Sequence, residues 1–253
     1  MTAANALIST IQYHDALKAG IMTLPEVVAA AHRLGAGGVE FRPDYWQNKE
    51  RDIAAIGAAN AESGQRALLA TFTPLFSEDE VLLRQEIDDA AALGSPLLRV
   101  FQGPAPTAAD DPAWARARRA VDYAAERGIV LALENFMREP GARIAEIAHI
   151  LDTIESPALG TNVDIGNYAL NDEDVAAGIA RFGDRVVMSH LKDMTAEGDA
   201  SFLGAGTMPL PAILDAFDRL SQPIIHCFEF GGAGDPDGRI AASLAYLQAR
   251  AAQ

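Results

Sequence analysis

The chain has little cysteine and little positive charge, and each shortage excludes a class of protein. Cys227 is the only cysteine among 253 residues, so no internal disulfide can form. The 20 Lys and Arg are outnumbered by 35 Asp and Glu, which gives a net charge of −15. This charge repels polyanions and offers no counterion release on binding a phosphate backbone. We therefore expect no nucleic acid partner and assign the acidity mainly to solubility.

Long apolar runs and low-complexity segments are also missing. The N-terminal stretch MTAANALISTIQYHDALK has no basic residue before Lys18, and its apolar part is too short for a signal peptide or a membrane span. We therefore predict a cytoplasmic protein with no membrane partner. With 253 residues, 49% of them hydrophobic, and no linker, the sequence predicts one domain over residues 1–253.

Helix and strand patterns alternate along the chain. Apolar residues recur at helical spacing, for example at Leu24, Val27 and Val28. Thr23 and Glu26, just before them, have the spacing of a capping box. Short apolar runs predict eight strands, at residues 7–13, 38–41, 67–73, 97–101, 130–134, 159–164, 186–191 and 223–229. Eight strands alternating with eight helices predict an α/β fold, a single (β/α)8 TIM barrel, with the loops 102–112 and 194–209 at its mouth.

Four polar residues end four successive predicted strands in the second half of the chain. They are Glu134, Asp164, His190 and Glu229, separated by 30, 26 and 39 residues. Because the carboxyl ends of all barrel strands meet at one mouth, three carboxylates and one imidazole would surround a single point. Buried carboxylates without a partner are costly, so such a group needs a cation. The sequence therefore predicts a metal site.

The ligand types indicate which ion would bind. One imidazole with three carboxylates suits one divalent metal ion, Mn²⁺ first, with Mg²⁺, Co²⁺ or Zn²⁺ as alternatives. Four protein ligands on an octahedral ion leave two positions open. Two adjacent oxygens of a sugar fit those positions.

The alternation of side chains along a strand separates inward from outward residues. If Glu229 faces the barrel axis, Cys227 does too, whereas His226 faces the helices and is discounted as a ligand. The same rule places Lys192 on the inward row of His190, and predicts that Glu40 also faces inward.

The sequence resembles the xylose-isomerase-like barrels, specifically the sugar (phosphate) isomerase and epimerase group, over nearly its whole length. Seven segments carry the resemblance: GVEFR (38–42), RVF (99–101), ALENF (132–136), NVDIGN (162–167), SHLKD (189–193), FLGAGTMPLPAIL (202–214) and FEFGG (228–232). It implies that Glu134, Asp164, His190 and Glu229 bind one divalent metal.

The resemblance also implies the chemistry. A metal-stabilised enediolate would form, with Glu134 and Glu229 as the acid/base pair that removes and returns a proton beside a carbonyl. Lys192, Glu40 and Asn167 are expected to orient the substrate. Many members of the family have His where Asn167 stands, so proton transfer at that position is not carried over.

Two further residues are candidates for substrate contact at the mouth. His14 follows the first strand and is alternatively an ordinary polar residue. Arg99 lies inside an apolar strand and needs a negative partner, so it alternatively serves only to pair with Glu134 or another carboxylate. The glycine run 231–234 could form an anion nest, but Asp235 and Asp237 beside it favour a substrate without phosphate.

These observations predict a metal-dependent isomerase or epimerase that acts on a small-molecule ketose or keto-sugar. A dehydratase or lyase acting on a related keto-polyol through the same intermediate is a close alternative. An abasic-site endonuclease and a non-catalytic sugar-binding barrel remain as less favoured alternatives. The substrate and the oligomeric state, including a homo-oligomer, stay open.

Overall fold

Eight parallel strands close into a barrel in the computed structural model, which describes residues 6–252. The prediction of a single (β/α)8 TIM barrel is confirmed. Around the barrel the strands follow the order β1-β10-β7-β6-β5-β4-β3-β2. The barrel strands are β1 (Leu7–Ser9), β2 (Gly38–Phe41), β3 (Arg66–Pro74), β4 (Leu97–Phe101), β5 (Val130–Glu134), β6 (Leu159–Asp164), β7 (Val186–Leu191) and β10 (Ile225–Phe228). The prediction of one domain over residues 1–253 includes residues 1–5 and 253, which lie outside the described residues.

Helices follow the strands; the short helices α1 and α7 lie near the mouth, and the longer ones cover the outside of the barrel. They are α1 (His14–Lys18), α2 (Leu24–Leu34), α3 (Lys49–Ser63), α4 (Glu80–Leu93), α5 (Pro112–Glu126), α6 (Ile144–Thr153), α7 (Ile165–Ala169), α8 (Val175–Phe182), α9 (Leu210–Asp218) and α10 (Pro236–Ala251). Within residues 6–252, no helix is both long enough and apolar enough to cross a lipid bilayer.

Local sequence signals set several helix ends. Thr23 begins α2 with the expected capping box, in which its backbone N–H donates to Glu26 Oε2 at 2.7 Å. Asp235 caps α10 by accepting from the backbone N–H of Gly238 at 2.9 Å. Gly35 ends α2 with φ at 77°, a left-handed conformation that glycine adopts without strain.

Two segments differ from the prediction by more than a shift of one or two residues at a strand end. The first strand was expected over residues 7–13 but ends at Ser9, and Thr10–Tyr13 forms a 3-10 helix. Gln12 in this turn donates its side-chain N–H to the Phe228 carbonyl at 3.0 Å, so a side chain rather than the backbone bonds to the end of β10. Gly232 packs closely on the same turn, since a Cβ at Gly232 would lie 1.6 Å from the Gln12 carbonyl oxygen. The loop 194–209 also contains part of a small antiparallel hairpin, formed by β8 (Asp193–Met194) and β9 (Ala200–Ser201).

Side chains inside the barrel separate into an apolar layer and a polar layer. The apolar layer consists of Leu7, Leu68, Leu97, Ala132, Met188 and Cys227. Cys227 thus faces inward as expected, with a free thiol. His226 faces outward, where its ring meets Phe217 of α9 at 5.4 Å between centroids and its Nδ1 lies 2.7 Å from Ser189 Oγ. The polar layer lies nearer the mouth and forms the candidate site.

Candidate metal centre

The four residues predicted as metal ligands come together at the mouth of the barrel. Glu134 ends β5, Asp164 ends β6, His190 lies near the end of β7 and Glu229 directly follows β10. Asp164 and His190 are partners in the register of β6 and β7, so their side chains start side by side. One potential ligand atom from each of the four residues lies within 4.8 Å of the others. Strand register in a closed barrel therefore builds this group.

The imidazole of His190 is the centre of the group. Its Nδ1 lies 3.2 Å from Glu229 Oε2, 3.4 Å from Glu134 Oε2 and 3.7 Å from Asp164 Oδ2. On its other side, Nε2 lies 3.1 Å from Glu40 Oε1. All five side chains are buried or nearly so. With the ring proton on Nε2, where Glu40 accepts it, the Nδ1 lone pair faces three carboxylate oxygens.

This arrangement fits a cation. His190 Nδ1 has no hydrogen-bond partner among the residues that the structure describes. A lone pair surrounded by three anionic oxygens is repelled unless positive charge lies between them. Two ligands on one divalent ion are separated by about 3 Å, which follows from metal–ligand distances of about 2.1 Å. The residues present therefore fit a divalent metal with four protein ligands.

The same charges act on the protonation of the group. Burial disfavours a charged imidazole, but Glu229, Glu40 and Glu134 outweigh burial and raise the pKa of His190 well above its ordinary value. Burial likewise works against the Glu229 carboxylate, yet His190 and Lys192 lower the pKa of Glu229 well below its ordinary value. Both shifts have the same cause, which is the attraction between positive and negative groups in this buried cluster.

Arg99 supports Glu134, as the pairing alternative predicts. Its Nε lies 2.9 Å from Glu134 Oε2, and its Nη1 donates to the Thr71 carbonyl at 2.9 Å. The guanidinium is only 1% exposed. Asn162 also donates to Glu134 Oε2, at 3.1 Å. Arg99 therefore lies behind the ligand group, and a direct contact between Arg99 and substrate stays a prediction.

Lys192 lies at the mouth beside the ligands. Its Nζ is 2.7 Å from Asp164 Oδ2 and 3.1 Å from Glu229 Oε2. Burial disfavours the ammonium, but Asp164 and Glu229 raise the pKa of Lys192 above its ordinary value. The inward orientation predicted for Lys192 is confirmed by these contacts.

Arg42 also reaches the site, although the sequence analysis did not select it. Its Nη1 lies 3.3 Å from Glu229 Oε1, and its guanidinium stacks on the Phe72 ring at 5.3 Å from the centroid. Arg42 follows β2 and stands two residues after Glu40, so the alternation that directed Glu40 inward also applied to Arg42. That signal could have identified it.

The other residues predicted to contact substrate have different surroundings. Glu40 is fully buried behind His190. Asn167, in α7, donates its side-chain N–H to the Asn135 carbonyl at 3.0 Å. His14 is exposed at the start of α1, where its Nδ1 lies 2.9 Å from Tyr45 Oη, and it does not join the ligand group. Substrate contact by these three residues stays a prediction.

Two residues next to the ligands hold the local backbone. Asn135 bonds the backbone of Asp164 twice, since its amide donates to the Asp164 carbonyl at 2.9 Å and its Oδ1 accepts from the Asp164 N–H at 2.8 Å. Asp193 accepts from four backbone N–H groups, those of Met194, Gly204, Gly206 and Met208, at 2.9 to 3.1 Å. Asp193 therefore fixes the loop that follows β7 beside the mouth.

Eight parallel strands form a closed barrel, and acidic and imidazole side chains lie at its mouth. These two features define a class of (β/α)8 proteins with a polar site at the carboxyl ends of the strands. The family model of the xylose isomerase-like TIM barrel matches residues 28–250. The chain therefore belongs to the xylose isomerase-like TIM barrel family.

Several known proteins resemble the chain in sequence or in structure. Over 59 residues the chain is 41% identical to mannonate dehydratase 2 of Agrobacterium fabrum (strain C58), a stretch that covers 23% of this chain and only 15% of that relative. The D-allulose 3-epimerase of Methylomonas sp., crystallised with D-allulose, is 18% identical, with a TM-score of 0.77 over 97% of this chain and 96% of that one. The probable 3-DHS dehydratase AsbF of Bacillus anthracis is 13% identical, with a TM-score of 0.77 over 98% and 99% of the two chains. At these identities the two structures establish likeness of fold.

Proposed function

We propose that the protein is a divalent-metal-dependent isomerase or epimerase of a ketose or keto-sugar. Mn²⁺ is the metal we favour, with Mg²⁺, Co²⁺ and Zn²⁺ as alternatives, because the ligands are one imidazole and three carboxylates. Its similarity in fold to a D-allulose 3-epimerase supports the same class of reaction.

One observation carries this proposal. Glu134 and Glu229 each direct an Oε2 atom at His190 Nδ1, at 3.4 and 3.2 Å, from strand ends that lie three steps apart around the barrel. Two carboxylates therefore reach one point from different sides. An enzyme that removes a proton from one face of a carbon and returns a proton to another face requires this arrangement.

The chemistry divides between the ion and the side chains. A bound divalent ion would polarise the substrate carbonyl and offset the negative charge that forms as the neighbouring carbon loses its proton. Glu229 is the proposed base that takes this proton, and Glu134 the acid that returns one. Arg42 and Lys192 hold the two oxygens of Glu229 in place, at 3.3 and 3.1 Å.

A substrate without phosphate suits the mouth best. A cavity of about 390 Å³ lies between residues 11–16 and the glycine-rich segment after β10, and His14 lines it. Asp15 lines this cavity and Asp235 stands beside it, and their negative charges would repel a phosphate. Asp237, the other carboxylate near the glycine run, is paired with Arg33 at 2.8 Å. We therefore propose a neutral sugar, with His14, Asn167 and Lys192 as candidate contacts to its hydroxyl groups.

Isotope exchange tests the proposal directly. Protein loaded with Mn²⁺ is incubated in deuterated water with a panel of neutral and phosphorylated ketoses, and deuterium beside the carbonyl is measured by NMR. We expect incorporation with at least one neutral ketose, and none after the metal is removed by a chelator. If metal-loaded protein exchanged no substrate of the panel, the isomerase and epimerase proposal would be wrong.

A dehydratase is the second candidate function. It is favoured by the similarity in fold to the probable 3-DHS dehydratase and by the short match to mannonate dehydratase 2. The first step would be the same proton removal, after which a hydroxyl on the next carbon leaves as water, taking a proton from Lys192 or Glu134. Parallel incubations in ordinary water distinguish the two reactions, because dehydration yields a product lighter by the mass of one water, whereas epimerisation conserves mass.

A further inference from the structure

Lys192 contacts the same oxygens that a metal would use. Its Nζ lies 2.7 Å from Asp164 Oδ2 and 3.1 Å from Glu229 Oε2. These two atoms are also the ones that face His190 Nδ1, at 3.7 and 3.2 Å. The ammonium and the predicted metal position therefore share two of the four ligands.

The remaining oxygens of both carboxylates are already engaged. Asp164 Oδ1 accepts the backbone N–H of Asn167 at 2.9 Å, and Glu229 Oε1 accepts from Arg42 Nη1 at 3.3 Å. To bind a metal through these other oxygens while Lys192 keeps Oδ2 and Oε2, each carboxylate would have to weaken an existing hydrogen bond. A metal and Lys192 must therefore share Asp164 Oδ2 and Glu229 Oε2, or one must withdraw.

Packing holds Lys192 in this place. The residue is 7% exposed, and its stem lies on Gly166, where an added Cβ would stand 2.5 Å from Lys192 Cδ. The side chain of Lys192 also faces inward, because Lys192 stands two residues after His190 on the same side of the chain. Lys192 differs in this from Lys49, whose Nζ lies 2.6 Å from Asp89 Oδ2 on the outside of the barrel. The Lys49 side chain is 38% exposed. Lys192 is thus a positioned cation rather than a solvated one.

We propose that the Lys192 ammonium competes with the divalent metal for Asp164 Oδ2 and Glu229 Oε2. This proposal depends on the metal site described under the proposed function. Like charges repel strongly at short range inside a protein, so the ammonium weakens metal binding. It also neutralises the carboxylates of metal-free protein and keeps the site folded. Lys192 is therefore a positioning residue that sets metal affinity, in addition to any contact with substrate.

Calorimetry with Mn²⁺ alone tests this competition. Chelator-treated wild-type protein, Lys192→Met and the matched control Lys49→Met, which removes another lysine paired with a carboxylate, are titrated with Mn²⁺. We expect Lys192→Met to bind Mn²⁺ roughly tenfold more tightly, or better, because a single charge close to the ion is removed. Lys49→Met should bind like the wild type. Equal or weaker binding by Lys192→Met, beside a wild type that does bind, would overturn the proposal.

Thermal unfolding gives a second measurement on the same proteins. Without metal, Lys192→Met should unfold at a lower temperature than Lys49→Met, and Mn²⁺ should raise its midpoint more than that of the wild type. If no protein of the set binds Mn²⁺, the metal site itself is wrong, and that result differs from equal binding by all three.

A measurement on unaltered protein covers the case in which Lys192→Met does not fold. The sequence has three lysines, Lys18, Lys49 and Lys192, so ammonium resonances of protein labelled with 15N-lysine can be assigned readily. We expect the Lys192 ammonium to be protected from solvent in chelated protein, and to shift or lose protection when Zn²⁺ or Mg²⁺ saturates the site. The Lys49 resonance should stay unchanged. A Lys192 resonance unaffected by saturating metal would refute the competition.

Discussion

The Nε2 atom of His190 lies 3.1 Å from Glu40 Oε1, and both side chains are fully buried. Glu40 comes from β2 and His190 from β7, with β1 and β10 between them, so the contact reaches across the barrel. With the ring proton on Nε2, where Glu40 accepts it, Nδ1 faces the carboxylates of the site. A carboxylate behind a metal-binding imidazole also increases the basicity of the ligand nitrogen.

The first prediction concerns that contact. Glu40→Gln keeps the shape of the side chain and an oxygen that can accept from Nε2, but it removes the negative charge that increases the basicity of His190. We expect the affinity for Mn²⁺ to fall by about tenfold to a hundredfold, measured by calorimetry. Glu50→Gln, an exposed change of the same kind in α3, is the control and should leave affinity unchanged. Wild-type affinity in Glu40→Gln would contradict the role of Glu40.

The second prediction concerns the proposed base. Glu229→Gln cannot accept a proton from substrate, so we expect deuterium exchange to fall by about a hundredfold or more, while urea unfolding stays cooperative. Metal content is measured on the same sample, because Glu229 is also a predicted ligand. The exposed change Glu197→Gln serves as control. Wild-type exchange by Glu229→Gln would show that the acid/base assignment is wrong.

The sequence predicted the positions of the site better than its internal contacts. Glu134, Asp164 and His190 could be grouped because parallel strands of a barrel all end at one mouth, and strand alternation correctly separated Cys227 from His226. Contacts across the barrel depend on which distant strands face each other, so the sequence did not reveal that Glu40 pairs with His190. Those contacts need the closed three-dimensional ring.

The same limit applies to local structure at the rim of the barrel. Beyond the end of β1 at Ser9, the Gln12 carbonyl packs against Gly232 from the far end of the chain. An apolar run through residues 7–13 gives no sign of that contact. Arg42 was overlooked for a different reason, since its position two residues after Glu40 was visible in the sequence but was not used.

The third prediction concerns the loop after β7. Asp193 is 1% exposed, and each of its carboxylate oxygens accepts two backbone N–H groups. Asp193→Asn replaces one of these oxygens by an NH2 group. That group faces two backbone N–H donors and cannot accept hydrogen bonds from them. We expect the free energy of unfolding to fall by about 3 kcal/mol, measured by urea denaturation. The exposed change Asp199→Asn is the control, and an equal effect in both variants would refute the role of Asp193.

The last prediction concerns acid stability and His226. Burial lowers the pKa of His226 from 6.5 to about 3, so the folded state holds the imidazole neutral while the unfolded state takes up a proton below pH 6.5. The contribution of His226 is complete above pH 6.5 and is lost as pH falls from 6.5 to about 3, by about 1.4 kcal/mol per pH unit.

His226→Asn removes this titration and should flatten the dependence of stability on pH in that window, although it costs stability at neutral pH through the lost packing on Phe217. Between pH 6.5 and 4.5, the fall in the free energy of unfolding should be smaller in the variant than in the wild type by about 2 to 3 kcal/mol. His32→Asn, at an exposed site in α2, is the matched control. Because both variants lose one imidazole from the unfolded chain, only a difference between their slopes can come from the buried, neutral state of His226.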